Sequence, residues 1–399
     1  MKKFLFILVF TFGTCSLFAQ PYAIDMTILA DNKAKIKKQD KSIMPVFQKL
    51  LKNADKALMV EPFTVTAKPS PDPSNDIHDY VSIAPYWFPN PNTPNGLPYI
   101  RKDGERNPEL ANYPDKTALT NMVSAVNDLA LAYYFTDEEK YATKAIVLIR
   151  AFFLDRETYM KPNLNYAQAV KGVSTGRGAG LIESRHFVRV IDAIGLLKSS
   201  PAWTATEQSG MEKWFAEFLD WMHTSSNGKS ERQAKNNHGV FYDMQRISFA
   251  LFTNNLEVAN EVVESFKRRI ETQQDSDGHF PAELERTISL HYSTFVIKAF
   301  FGIASMAEQL NVDLWNYISE NDKSLKTAID FLYPYITKRA EWTWPQIHPY
   351  NHASECVDFL KIVSLKYHDP KYANDVSRVI SKETARTHPS NLVLGLDME

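Results

Sequence analysis

The sequence predicts an all-α fold, an incomplete α/α toroid of αα-hairpins with an ordered, aromatic-rich loop region near its N-terminus. From about Ala118 onward, apolar residues recur at three- and four-residue steps, which marks one buried helix face after another. Few stretches alternate with the two-residue period of strands. Junctions also echo one another: Phe135-Thr-Asp-Glu-Glu-Lys-Tyr-Ala, Phe252-Thr-Asn-Asn-Leu-Glu-Val-Ala and Tyr367-His-Asp-Pro-Lys-Tyr-Ala. Each is an aromatic, a short polar turn and an Ala-containing helix start, as expected of hairpins in series. Such hairpins form an open solenoid or a closed ring. No repeat period is strict enough for a tetratricopeptide array, so the ring is favoured.

Residues 1–19 read as a secretory signal. Lys2 and Lys3 precede an apolar run from Phe4 to Phe12, and Ala19 offers a small residue at the cut. The run is too short to span a bilayer. Lipoprotein anchoring through Cys15 is the weaker alternative, because Phe12-Gly13-Thr14 fits that pattern poorly. The chain is thus expected to be exported, to the periplasm or outside the cell, with no membrane span. Removing the signal leaves Cys356 alone, so stability must come from the core.

Residues 20–399 read as one domain. The stretch 62–114 is rich in Pro, Asn, Gly and Asp, yet it carries Tyr80, Tyr86, Trp87, Phe88 and Tyr99. So many aromatics speak for order, and long irregular segments in compact domains are usually functional. This stretch is therefore placed over one mouth of the ring. A helix face follows in Leu119, Met122, Val123, Val126, Leu129, Ala130 and Tyr133. Thr136-Asp137-Glu138-Glu139 reads as a capping box opening a helix with Tyr141, Ala145, Leu148, Ile149 and Phe152 inward. Thr204-Ala205-Thr206-Glu207 reads likewise, ahead of Met211, Trp214, Phe215, Phe218 and Met222. Further helical periodicity lies at about 181–198, 239–252, 256–271, 285–309, 323–337, 352–367 and 370–382, and 383–399 reads as a polar tail.

Composition removes several function classes. Lys and Arg number 45 against 47 Asp and Glu, for a net charge of −2, so no basic patch for nucleic acid is indicated. There is no His-Glu-x-x-His, Cys pair or EF-hand loop for a metal, and no Gly-x-Ser-x-Gly elbow. No metal and no cofactor is expected. The glycines of the segment Gly172 to Gly180 allow close backbone approach, but it lacks the ending of a phosphate loop.

Chemistry gathers in two clusters. Lys235-Asn236-Asn237-His238 opens a helix with amides and an imidazole, where a plain Asn cap beside a solvated His is the simpler reading. Asp277-Gly278 leads through Glu283, Glu285 and Arg286 to His291-Tyr292, where Glu283 and Arg286 could be only a surface ion pair. Asp277, Glu283 and Glu285 also leave open a carboxylate pair for glycoside hydrolysis. Together the clusters suit β-elimination on a uronic acid polymer. Removing the C5 proton piles charge onto the sugar carboxylate, and Asn, His and Arg can neutralise it. A Tyr whose pKa is lowered by such cations can be the base, and the same phenol can protonate the leaving oxygen.

These segments resemble the alginate lyase domain of polysaccharide lyase families 5 and 38. The resemblance rests on His78-Asp79-Tyr80 through Tyr86-Trp87-Phe88-Pro89, Gly96 to Gly104 with Asn107-Pro108-Glu109, Asn163 to Gln168 with the Gly-Arg-Gly segment, Asn236-Asn237-His238, and Asp277-Gly278 to Tyr292. Tyr292 is followed by Ser293, where family 5 has His after one more residue from its Arg; family 38 is the nearer likeness. The resemblance implies an α/α toroid with a groove or tunnel for an acidic polysaccharide. It assigns Tyr292 as catalytic base and acid, His238 as neutraliser or alternative base, and Asn237 and Arg286 as carboxylate partners. Subsites are expected from Tyr86, Trp87, Arg101, Gln168, Arg177, Arg185, His291 and Trp344. The expected activity is a secreted, monomeric lyase on poly-mannuronate or poly-guluronate. The alternatives are a glucuronan lyase, a glycoside hydrolase on the same ring, and a non-catalytic glycan-binding protein.

Overall fold

The computed structural model describes residues 21–70 and 72–393. The signal sequence and Cys15 lie outside the described residues. The fold is all-α, 59% helical, with an α/α toroid architecture. Two helices precede the expected run: α1 (Met26–Lys37) and α2 (Met44–Leu58), the latter burying Val46, Phe47, Leu50, Ala54 and Ala57. The loop region holds three short strands, β1 (Val81–Ile83), β2 (Trp87–Phe88) and β3 (Ile100–Arg101). Next come α3 (Asp115–Thr136), α4 (Glu139–Phe153) and β4 (Tyr166–Ala169), which pairs parallel with β1. β2 and β3 form an antiparallel pair with Trp87 opposite Arg101.

A 3-10 stretch at Gly178–His186 leads into α5 (Phe187–Leu197), α6 (Ala205–Thr224) and α7 (Ser226–Arg232). Then follow α8 (Asn237–Phe252), α9 (Leu256–Gln273), the single turn α10 (Pro281–Leu284), α11 (Ser289–Ala307) and α12 (Leu325–Ile336). The C-terminal part holds α13 (His352–Glu355), α14 (Val357–Lys366), α15 (Pro370–Asn374), α16 (Val376–Val379) and α17 (Lys382–Arg386).

The inner wall runs α3, α5, α8, α11, each packed on the next, with α4, α6, α9 and α12 outside. Faces expected from periodicity are the ones buried: Leu119 to Tyr133 in α3, Tyr141 to Phe152 in α4, Met211 to Met222 in α6. α5 and α11 are apolar on nearly every side, which lets them be covered all round, while α8 buries Asp243, Gln245 and Arg246 among its apolar residues. α11 is apolar enough by composition to cross a membrane, yet 89% of that window is buried within the protein, as in a core helix.

The echoing junctions share one backbone feature. Asp137, Asn254 and His368 all lie in the left-handed region, at φ +60°, +54° and +52°. That residue ends one helix and reverses the chain into the next. It also corrects one expectation. Thr136 is not an N-cap: it closes α3, its hydroxyl bonding back to Ala132 O at 2.7 Å, and Glu138 caps α4 without a side-chain bond. At Thr204 the capping box does form with Glu207. The expected tail is a second correction as far as residue 393. Leu392 and Ser390 are buried, and Asn32 on α1 donates to the carbonyls of Asn391 and Leu392, because these groups find partners on α1 and α14.

Candidate active site

Every residue of α8 is buried except His238, and α11 is buried throughout except at His291 and Ser305. Phe241 and Phe295, three residues after His238 and Tyr292 respectively, pack with tilted rings whose centroids are 4.2 Å apart. The starts of α8 and α11 therefore lie side by side at one end of the inner wall, and bring the two clusters together.

Around Tyr292, the guanidinium of Arg286 sits 3.6 Å from the ring centroid, and the hydroxyl shares a 2.8 Å hydrogen bond with Tyr86 from the loop region. Arg286 does not pair with Glu283, as a helix-surface reading had it. It forks onto Asp103, Nε to Oδ2 at 3.0 Å and Nη2 to Oδ1 at 2.7 Å. Asp103 also accepts from Thr287 N and Oγ1 and from Arg101 Nη2. Such a fork fixes the plane of the guanidinium. The expected lowering of the Tyr292 pKa is not found. Burial pushes the phenol well above its usual range, Tyr86 adds to this, and Arg286 opposes it without prevailing.

On α8, Asn236 caps the helix by accepting from His238 N, so the simple capping reading holds for Asn236. Asn237 and His238 do more. Asn237 is buried, and its N–H and Nδ2 donate to the carboxylate of Glu283 at 2.5 and 2.7 Å. His238 Nδ1 meets Glu231 Oε1 of α7 at 2.6 Å, and the imidazole keeps 22% exposure. A carboxylate on Nδ1 orients the ring and leaves Nε2 for other work.

The remaining candidates divide. Gln168, buried at φ +50°, accepts from Arg177 Nη2 at 2.7 Å, and the Arg177 guanidinium lies 5.9 Å from the Trp87 ring. Arg177 also feels the charges of Arg101, Glu231 and Glu183, so it joins the loop region to the His238 side. Arg185 lies 5.5 Å over Phe295, and its Nη1 donates to Ile182 O. His291 stacks on Phe295 and faces Glu355 at 3.6 Å. Trp344 packs its ring with Phe331, Tyr335 and Trp342. Its segment is tied to the start of α11, where Pro345 O accepts from Ser289 and Gln346 Oε1 from Leu290 N.

Asp103 and Glu231 were not singled out from sequence. Asp103 lay within the opening motif beside Arg101, whereas Glu231 sits on a separate short helix and gives no spacing signal. The carboxylates considered for hydrolysis do not form a pair: Glu283 is fully buried against Asn237, while Asp277 and Glu285 are exposed. Among the described residues, no group of three or more His, Cys, Asp or Glu is placed to hold a metal.

The family described as Alginate lyase matches residues 64–342. Among solved structures, the chain is similar to an alginate lyase from Bacteroides ovatus, at 37% identity and TM-score 0.89, covering 95% of this chain and 100% of that one. Alginate lyase A1-III from Sphingomonas species A1 shares 14% identity at TM-score 0.55, over 96% of this chain and 98% of that one. A variant of A1-III complexed with a tetrasaccharide gives 16% identity and TM-score 0.52, over 81% and 80%. These last likenesses speak for the fold alone. No curated protein matches the chain.

Proposed function

The chain belongs to the alginate lyase family and is a polysaccharide lyase acting on an acidic polysaccharide, and on that premise we propose that it cleaves 1,4-linked polyuronates, alginate first, by metal-independent β-elimination. One observation carries the chemistry: a buried phenol, Tyr292, held between a guanidinium at 3.6 Å and a second phenol at 2.8 Å. The C5 proton leaves to Tyr292 O, a C4–C5 double bond forms, and the C4–O bond breaks. The leaving oxygen takes a proton from the same phenol, now neutral.

The high pKa of Tyr292 shapes this role. At rest the phenol is neutral, which suits the acid half of the cycle. The base half needs the phenolate, whose charge the Arg286 guanidinium at 3.6 Å offsets. A strongly basic phenolate is a better match for a weakly acidic C–H. Arg286, Asn237 and His238 meet the charge that builds on the sugar carboxylate. Where the C5 proton lies on the other face, as in guluronate, His238 takes the base role. Tyr86, Trp87, Arg101, Gln168, Arg177, Arg185 and His291 line the sugar-binding surface around it.

The leader at 1–19 supports export to the periplasm or the medium, and we take the working unit as a monomer. The test is incubation with alginate and, separately, glucuronan, following the ultraviolet absorbance of the unsaturated product. Reducing ends without that absorbance would indicate hydrolysis, and binding without turnover a glycan-binding protein. Either result refutes the proposal.

A further inference from the structure

Asn237 Oδ1 is buried and has no hydrogen-bond partner among the described residues, while its Nδ2 is spent on Glu283. An orphaned buried acceptor is costly. It is also the wrong polarity beside an anionic sugar, since a carboxylate needs donors. Both problems disappear if Glu283 is a neutral carboxyl. Its carbonyl oxygen still accepts from Asn237 N–H, now joined at 2.5 Å. Its hydroxyl donates to Asn237 Oδ1 once the amide turns over, and both Nδ2 protons become free.

We propose that Glu283 is a positioning residue that works in its protonated form, turning the Asn237 amide so that Nδ2 faces the uronate carboxylate. This deepens the proposed function and rests on it. No covalent step is involved; the proton comes from solvent. Burial raises the Glu283 carboxyl to about 7, against the donors of Asn237 and the charges of Arg286 and His238. The charged and titratable groups facing it are Arg286 from its own segment and His238 from α8. An arriving sugar carboxylate adds a like charge and favours the protonated form further. Neutral Glu283 also stops competing with substrate for the positive field of Arg286.

The sign is fixed. The competent form is lost as pH rises through the carboxyl's value, so the wild type loses kcat/KM on the alkaline side, where Tyr292 alone would give a rise. Glu283→Gln mimics the neutral carboxyl, with Oε1 for the Asn237 N–H and Nε2 for Oδ1. It should keep kcat/KM within about threefold of the wild type near pH 6 and remove the alkaline fall, while Glu283→Ala loses at least about tenfold at every pH. Glu283→Gln that is folded by circular dichroism but as impaired as Glu283→Ala, or that shares the wild-type pH profile, overturns the inference. A wild type inactive on every polyuronate refutes instead the function on which it rests. Calorimetry supplies a second reading on a chain that retains Glu283. Tyr292→Phe binding a mannuronate oligomer near pH 8, in buffers of different ionisation enthalpy, should take up protons, and addition of Glu283→Gln should reduce that uptake. Zero uptake overturns the proposal.

Discussion

Replacing Asp103 by Asn keeps the side chain's shape and removes its charge, so it isolates what the loop region does for Arg286. The carboxylate accepts the Arg286 fork at 2.7 and 3.0 Å, together with Thr287 and Arg101. Asn has one oxygen, and its NH2 would face a guanidinium donor, so one arm of the fork is lost. Both side chains keep some exposure, 13% for Arg286 and 19% for Asp103, so the full cost of breaking a buried ion pair does not apply. A charge-assisted hydrogen bond in this setting contributes about 2 kcal/mol. If that energy orients Arg286 in the transition state, kcat/KM falls roughly 30-fold.

Thermal unfolding should move by only a few degrees in a chain of this size. Burial alone would raise the Asp103 pKa, but the hydrogen bond and charge of Arg286, with Thr287 and Arg101, hold it well below the carboxylate range. Its stabilisation is therefore complete above the unfolded value, about 3.9, and lost only as pH falls through the folded one. The deficit of Asp103→Asn should persist unchanged across neutral pH. Steady-state ultraviolet assays and a melting curve decide the matter. Normal kcat/KM in a folded Asp103→Asn protein would refute the orienting role.

Other outcomes are equally definite. Tyr292→Phe should remove turnover while leaving the far-ultraviolet spectrum intact, and near-normal rates would exclude the phenol as base and acid. Because the Tyr292 pKa is raised, Glu283→Gln should gain activity as pH rises from neutral; a flat profile there would shift the base role to an imidazole. Gly176→Ala puts a Cβ 1.9 Å from Asn165 O, so the variant should lose about 1–3 kcal/mol or more by chemical denaturation. Cys356 is fully buried and burial pushes its thiol up to about 12, so a thiol reagent should label it only after unfolding.

The sequence made the outer helices legible because they are amphipathic. The stripe at Tyr141, Ala145, Leu148, Ile149 and Phe152 of α4 is a periodic signal, and those residues are buried. α1 escaped notice because its narrow buried stripe is Leu29, Asn32 and Ile36 among charged neighbours. Reading Thr136 as a cap failed since an αL turn at Asp137 competed for the same residues and won. In the site, residue types and order were readable, but partners were not. Arg286 pairs with Asp103, 183 positions away, and not with the nearby Glu283. The direction of the Tyr292 pKa was missed for a related reason: cations can be read from a sequence, whereas desolvation depends on what covers the ring.

Lys68 gives the loop region its footing. The ammonium is buried, donates to the carbonyls of Val65, Ile77 and Asp79, and pairs with Asp115 at 3.0 Å in the first turn of α3. With Asp103 clamped at the far side, the segment bearing Tyr86 and Trp87 is riveted at two points and behaves as a fitted plate. Proton-handling groups and sugar-reading groups thus reside on separately fastened parts. Evolution, or a protein engineer, can recut the plate for a different sugar while the rivets and the machinery beneath stay as they are.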